Sequence, residues 1–202
     1  MHLEFAQLPP LERYKLLIGL VIPRPIAWIS TRSANGVANC APFSFFNVFS
    51  EDPPLCVVGI NPRSDGAIKH TLKNIRRTKE FVVNLADEST ANAMHLSSYE
   101  FTEEESEFEK AGLTQAPALR VQHPRIAEAA ASLECKLYKL LEISATRELV
   151  LGEIVVVHAR EGIIDPKTKR ISEQNYHPVG RLFANRYCTT RQRFDLPGDL
   201  PK

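Results

Sequence analysis

Two groups of residues in this chain have types and spacing suited to chemistry. Ala41-Pro-Phe-Ser-Phe-Phe-Asn47 places three aromatic rings, a hydroxyl and an amide within seven residues, with Pro42 fixing one backbone angle among them. Phe43, Phe45 and Phe46 offer ring faces or an apolar wall. Ser44, Asn47 and backbone N–H groups can bond the polar edge of a flat conjugated ring. Further on, Asn61-Pro-Arg-Ser-Asp-Gly66 leads into a helix expected over Ala67 to Arg77, with Ile68, Leu72 and Ile75 on one face and Ser64 or Asp65 as its cap. A helix start offers free N–H groups and a partial positive charge, and Arg63, Lys69 and Thr71 lie within reach of that end, so the pattern suits an anion such as a phosphate. Each group also has a plainer reading. An aromatic cluster serves equally as core, and a basic helix with a polar cap is an ordinary solvated face.

Other chemistries find little support. No Gly-x-Gly occurs, so neither the dinucleotide fingerprint nor a P-loop is present, and a nicotinamide cofactor would bind only as a transient visitor. There is no Gly-x-Ser-x-Gly elbow for a hydrolase. Cys40, Cys56, Cys135 and Cys188 are far apart and form no CxxC, so they read as reduced, mostly buried thiols and not as a zinc cluster or redox dithiol. The acidic stretch Glu100 to Glu109 has no histidine at a useful spacing and reads as solvated surface, so no metal is expected. Twenty-five basic and 24 acidic residues leave a net charge of +1, which gives no overall field for nucleic acid or an anionic membrane. The N-terminal stretch has no basic segment followed by an apolar one, and no apolar run approaches a membrane span, so a cytoplasmic location is expected.

The elements that must position these residues follow from pattern and turn chemistry. At 202 residues, 44% hydrophobic and 24% charged, the chain is expected to form a single domain over 1–202. Arg24 to Arg32 alternates in a β-rich composition and reads as a strand, Asn35-Gly36 suits a type I′ turn, and Val37 to Cys40 should pair back on it before the aromatic loop. Leu8 to Leu20 has helical spacing, with Pro9 and Pro10 tolerated only at its start, and would lie across a barrel end. Leu55 to Ile60 and Glu80 to Leu85 read as strands, and Ser89 can cap a short helix over Thr90 to Leu96. Leu149 to His158 is a further strand, with Gly152 as a bulge or close-contact point, and Asp165 to Thr168 forms a turn. Tyr176 to Phe194 reads as a loop-rich tail that needs a partner surface. Ile126 to Leu141 is in conflict, because its Ala-rich and Leu-rich spacing fits a helix while Leu133, Cys135 and Leu137 also alternate as in a strand.

The stretch RPIAWISTRSANGVANCAPFSFFN, from Arg24 to Asn47, resembles the signature of the flavin reductase-like, FMN-binding split-barrel family, which includes reductase components of two-component monooxygenases. Further matches run through Asp52 to Pro54, His70 to Ile75, Glu80 to Leu85 and Arg181 to Tyr187, so the resemblance covers most of the chain. It implies a mainly β fold with peripheral helices, an antiparallel Greek-key split β-barrel, and a strand from Ser132 onward after a short helical turn. Position by position, it implies that Trp28, Ser30, Thr31, Asn39, Ala41, Pro42, Ser44, Phe45, Phe46 and Asn47 surround the ring and ribityl chain of FMN. It assigns the phosphate to Arg63, Lys69 and Thr71. His70 stands where many relatives have an acidic residue, which would make phosphate binding pH-sensitive. The flavin itself would carry the chemistry, with no obligatory acid or base, and the implied activity is reduction of flavin by NADH or NADPH for a partner monooxygenase or other acceptor. An open barrel with an apolar, arginine-rich tail further implies a homodimer. An FMN electron carrier without NAD(P)H oxidation, a pyridoxamine-phosphate oxidase-like enzyme and a barrel binding single-stranded nucleic acid are the competing classes, the last disfavoured by the near-neutral charge.

Overall fold

The computed structural model describes residues 1–196 and 198; residues 197 and 199–202, the end of the domain expected over 1–202, lie outside the described residues. Seven strands form one antiparallel sheet: β1 (Ala27–Arg32), β2 (Ala38–Phe43), β3 (Phe46–Glu51), β4 (Pro54–Ile60), β5 (Glu80–Leu85) and, after the two-residue strands β6 (Gln115–Ala116) and β7 (Arg125–Ile126), the long β8 (Ala131–Ser144) and β9 (Arg147–Ala159). The short strands β10 (Val179–Arg181) and β11 (Tyr187–Thr189) pair with each other near the end of the chain. The sheet order is β2-β1-β5-β8-β9-β4-β3.

That order explains the barrel. β2 and β3 are the two outer edges of the sheet, yet only Ser44 and Phe45 separate them in the chain. The sheet must therefore curl until its edges stand side by side at this turn. No ladder joins them, so the barrel is split along a seam, and the turn Ser44-Phe45 sits at its corner.

Alternation along β1 decides what each face of it touches. Ala27 and Ile29 face a barrel core that includes Val58, Phe81, Val83 and Val150, capped by Leu72 and Ile75 of helix α2 (His70–Thr78). Trp28 faces the opposite way into a second cluster with Met94 of α3 (Ala91–Leu96) and Phe108 of α4 (Glu107–Lys110). Helix α1 (Pro10–Leu20) buries none of its residues. Gly152 is a close-contact point: a Cβ there would run into the Phe81 ring and come within 3.2 Å of the Cys135 Cβ. Over this glycine the buried thiols of Cys56 and Cys135 approach to 3.9 Å without a bond, and Cys188 is half-buried. No helix among the described residues is long and apolar enough to cross a membrane.

Several expectations are corrected. The first strand starts at Ala27 and not Arg24, whose backbone instead forms an isolated bridge to Arg181. The second runs through Pro42 to Phe43, so most of the expected aromatic loop is strand and only Ser44 and Phe45 turn. Pro42 is tolerated because β2 is an edge strand, where a missing N–H breaks no inner ladder. The hairpin is not type I′, since Gly36 alone among its residues has positive φ; Gly36 N–H donates to Ser33 O (3.1 Å) and the Ser33 hydroxyl accepts from Val37 N–H (3.1 Å). That leaves Ala34 and Asn35 as central residues, with Gly36 as the left-handed residue that follows the turn. Helix α2 begins at His70, because Asp65 turns the chain locally by accepting from Ala67 N–H (2.9 Å) instead of capping a helix. Ser89 likewise donates to Asp87 Oδ1 (2.5 Å), and α3 begins after Thr90. Before β8 there is a turn and no helix.

Candidate functional site

The seam turn lies on a cavity of about 360 Å³. Its walls come from the end of β2 (Asn39, Ala41, Pro42), the turn residues Ser44 and Phe45, the segment Asn61 to Arg63 after β4, the start of α2 (Lys69, His70, Thr71) and the segment Ser97 to Phe101 after α3. Gly59 of β4 permits the close fit of the turn, since its N–H donates to Phe45 O (2.7 Å) and a Cβ there would lie 3.2 Å from Phe45 Cβ. Tyr14 of α1 covers one side, with its ring centroid 6.4 Å from that of Phe45 at an interplanar angle of 58°.

The lining combines aromatic and basic groups. It holds the rings of Phe45 and Tyr14 together with Arg63, Lys69 and the start of α2, whose N-cap Lys69 makes no side-chain cap bond. The first-turn N–H groups of this nine-residue helix are thus left to a ligand or solvent. The two cations are not equivalent. Lys69 Nζ is 2.9 Å from Glu100 Oε1, and Glu100 also accepts from the Ser64 hydroxyl (2.5 Å) and N–H (3.1 Å); these donors, Ser64 foremost and then Lys69, hold its pKa down at about 2. Among the described residues the one carboxylate within 4 Å of Arg63 is Asp65, at 3.9 Å, and Arg63 donates to Phe101 O (3.1 Å). Burial, then the nearby Arg63, lowers the pKa of His70, whose Nε2 lies 3.3 Å from the guanidinium, so this ring is neutral at pH 7. The pH sensitivity expected of His70 is therefore displaced below neutrality.

Behind the wall, Asn39 acts as a hub. Its Oδ1 accepts from the hydroxyls of Thr71 (3.0 Å) and Thr31 (3.3 Å), and its Nδ2 donates to Glu107 (2.7 Å). Asn74 Nδ2 donates to the Thr31 hydroxyl (3.0 Å), which ties α2 to β1. Glu107, expected on a solvated surface, is buried and lines the cavity floor; it also accepts from Cys40 N–H (3.2 Å), and burial raises its pKa.

The structure brings Asn39, Ala41, Pro42, Ser44, Phe45, Arg63, Lys69 and Thr71 together on one cavity. It does not bring the others there. Trp28 is fully buried and donates to Ser97 Oγ (2.8 Å), so it props the segment that forms one wall. Ser30 donates to Pro124 O (2.5 Å) and Thr31 supports Asn39 from the core. Phe46 packs on the barrel core, and Asn47 is exposed with its Oδ1 accepting from its neighbour Val48 N–H (2.8 Å); both line a separate cavity of about 240 Å³ with Pro25 and Tyr176. As consecutive residues of β3 they point to opposite faces, Phe46 onto the barrel core and Asn47 toward solvent, and neither lines the seam cavity. Tyr14 and the Ser97 to Phe101 segment are lining residues that spacing alone does not reveal, although Tyr99-Glu100-Phe101 interrupts its acidic neighbourhood with two rings.

A curled antiparallel sheet with a cavity of mixed aromatic and basic lining at its seam defines a split-barrel protein of the flavin reductase type. Residues 19–180 match the family model described as flavin reductase like domain, and the chain belongs to that family. It is 43% identical over 174 residues to an uncharacterized protein of Aquifex aeolicus, covering 86% of this chain and 88% of that one. Among solved structures it is similar to the 2-nitrobenzoate 2-nitroreductase NbaA of Pseudomonas fluorescens, with a TM-score of 0.91 and 39% identity over 100% of this chain and 99% of that one. Nitrilotriacetate monooxygenase component B of Bacillus cereus is also similar, with a TM-score of 0.90 and 30% identity over 97% and 98% of the two chains.

Proposed function

We propose that this protein binds FMN at the seam and reduces it with NADH or NADPH, passing the electrons to a partner monooxygenase or another acceptor. The observation that carries this reading is the mixed lining of one cavity: aromatic rings together with an arginine and an uncapped helix start. That layout fits a flat ring system joined to a phosphate, and about 360 Å³ is a volume typical of cofactor pockets.

When bound, the flavin supplies the hydride and electron chemistry. The chain's own part is to hold and enclose it. Arg63 and the first N–H groups of α2 receive the phosphate, with Lys69 adding less because Glu100 already neutralises it. Phe45 and Tyr14 cover the ring, and the Ser44 hydroxyl is placed to bond its polar edge. The Asn39 hub fixes α2 against β2, so that the phosphate end and the ring end keep their spacing. The nicotinamide donor, lacking a fingerprint loop, would approach the ring from solvent and leave again.

Purified protein dialysed against FMN should acquire a bound-flavin absorption band at roughly 450 nm, as flavin cofactors generally do. It should then oxidise NADH or NADPH under anaerobic conditions. No retained flavin would remove the reading, whereas retained FMN with no pyridine-nucleotide oxidation would make the protein an electron carrier. Light scattering on the same sample should give a homodimer, twice the 22.7 kDa chain mass. The exposed Val48 and Phe49 on edge strand β3 support that assembly, and a monomer mass would remove it.

A further inference from the structure

Arg24 and Arg181 face each other across an antiparallel bridge. Arg24 N–H donates to Arg181 O (3.0 Å) and Arg181 N–H to Arg24 O (2.8 Å), and directly opposed residues of such a bridge send their side chains to the same face. Both side chains line a second cavity of about 270 Å³, which meets the first at Tyr14, Pro42, Ser44 and Ser98. Like charges placed directly opposite one another are destabilising. Yet the arginine ion pairs among the described residues engage Arg63, Arg76, Arg160, Arg191 and Arg193, and neither of these two.

Local structure accounts for one of them. Arg24, only 7% exposed, donates to Ile18 O (2.7 Å), Val21 O (2.8 Å), Leu182 O (2.7 Å) and Ser44 Oγ (3.3 Å), so it secures the C-terminal end of α1. Arg181 has no comparable reason to share that space. Its guanidinium stacks on the Tyr187 ring at 4.6 Å and donates to the Tyr187 hydroxyl and Ala184 O, and its Nε–H and further Nη hydrogens have no acceptor among the described residues. The apolar part of the lining is Ile18, Ile26 and Met94.

We propose that this second cavity is a subsite for a small organic carboxylate, with the carboxylate against Arg181 and Arg24 and the apolar body against Ile18, Ile26 and Met94. The anion neutralises two facing cations that form no ion pair among the described residues. The proposal rests on the flavin reading in one respect: the shared wall at Ser44 and Pro42 puts this ligand beside the flavin, as a substrate or effector of the reduced cofactor. A dinucleotide could bring an anionic group to the same arginines, but about 270 Å³ matches a small acid better than a pyrophosphate and its two nucleosides.

Benzoate is the probe, benzamide its neutral counterpart, and ADP-ribose the pyrophosphate control. Calorimetric titration of the FMN-loaded protein should show benzoate binding about tenfold or more tighter than benzamide, since charge-assisted hydrogen bonds supply the difference. Arg181→Ala should lower benzoate affinity about tenfold while leaving FMN and benzamide affinities unchanged, and Arg181→Lys should retain part of the loss. Equal binding of benzoate and benzamide, or an unchanged benzoate affinity in a folded Arg181→Ala, would overturn the proposal. So would Arg181-dependent binding of ADP-ribose without binding of benzoate. If Arg181→Ala does not fold by circular dichroism, the Arg181→Lys variant and the benzoate-to-benzamide ratio of the unaltered protein decide. Failure to retain FMN counts against the flavin reading alone, because the same titrations on flavin-free protein still test the arginine pair.

Discussion

Replacing Arg63 by alanine is expected to weaken FMN binding by about tenfold to a hundredfold while leaving riboflavin binding nearly unchanged. A charge-assisted contact to a phosphate is worth on the order of 1.5 to 3 kcal/mol, which sets that range. Riboflavin has the same ring and chain but no phosphate. Arg63 is the cation to alter because its side chain is 18% exposed and its nearest carboxylate is 3.9 Å away, whereas Lys69 is held at 2.9 Å by Glu100. Lys69→Ala should therefore cost less than Arg63→Ala. Ser44→Ala, at the ring end, should weaken both flavins alike. Fluorescence-quenching titrations of both ligands against the three variants settle the orientation: equal losses of FMN and riboflavin affinity in Arg63→Ala would mean that this arginine does not hold the phosphate.

Acid should destabilise the fold through one buried ring before the paired carboxylates of Asp87 and Glu134 titrate. His123 is 2% exposed, its Nε2 lies 2.9 Å from the Thr78 hydroxyl oxygen, and its Nδ1 has no partner among the described residues. Burial draws its pKa down from 6.5 to about 4. Below pH 6.5 the unfolded chain takes up a proton at this position that the folded chain refuses until pH 4, so stability falls as the pH drops through that window and levels off beneath it. With 1.36 kcal/mol per pKa unit, the full loss is about 3 kcal/mol. His70, also lowered, contributes in the same direction. The carboxylates of Asp87 and Glu134, whose pKa values lie below their ordinary ones, withdraw their contributions at still lower pH. His123→Gln should cost some stability at pH 7 but flatten the decline between pH 6.5 and 4.5 by about 2 to 3 kcal/mol, read from urea midpoints at the two pH values. Parallel pH profiles for the two proteins would show that His123 is not the sensor.

How much of this was legible in the residues varies with the physics involved. Strand β5 has the bounds that its alternation predicts, and β4 differs by one residue, because a short apolar run between turn formers has few alternatives. The stretch from Ile126 shows the opposite case. Its Ala-rich and Leu-rich composition favours a helix, yet Ala131 to Ser144 is a strand, since pairing with β5 and β9 on both sides outweighs local propensity. Within the candidate site, motif position predicted neighbourhood better than direction. Trp28, Ser30 and Thr31 belong to the signature but lie behind the cavity, because β1 is an inner strand covered on both faces. Glu107 was hidden by its acidic neighbours, and only the packing of α4 on β2 reveals that Asn39 and Cys40 N–H take up its oxygens. The pairing of Arg24 with Arg181 spans nearly the whole chain and leaves no trace in spacing.

The seam has a consequence for how the chain reaches its native state. The hairpins β1–β2, β3–β4 and β8–β9 join strands that follow each other directly, and such units form in about 1–10 μs. Joining them is different, because Ile29 pairs with Val83 and Val58 with Val150, and large loops must close before either ladder stabilises anything. Folding is then governed by assembly of prebuilt hairpins, on the millisecond-to-second scale typical of barrels with distant pairings. Only Ser44 and Phe45 separate the two outer edges, so the corner itself is local, and what must assemble late is the cavity around it, whose other walls come from residues 61–71 and 97–101. A ligand there touches segments that only the assembled barrel brings together, so it stabilises the folded state over the unfolded chain by mass action.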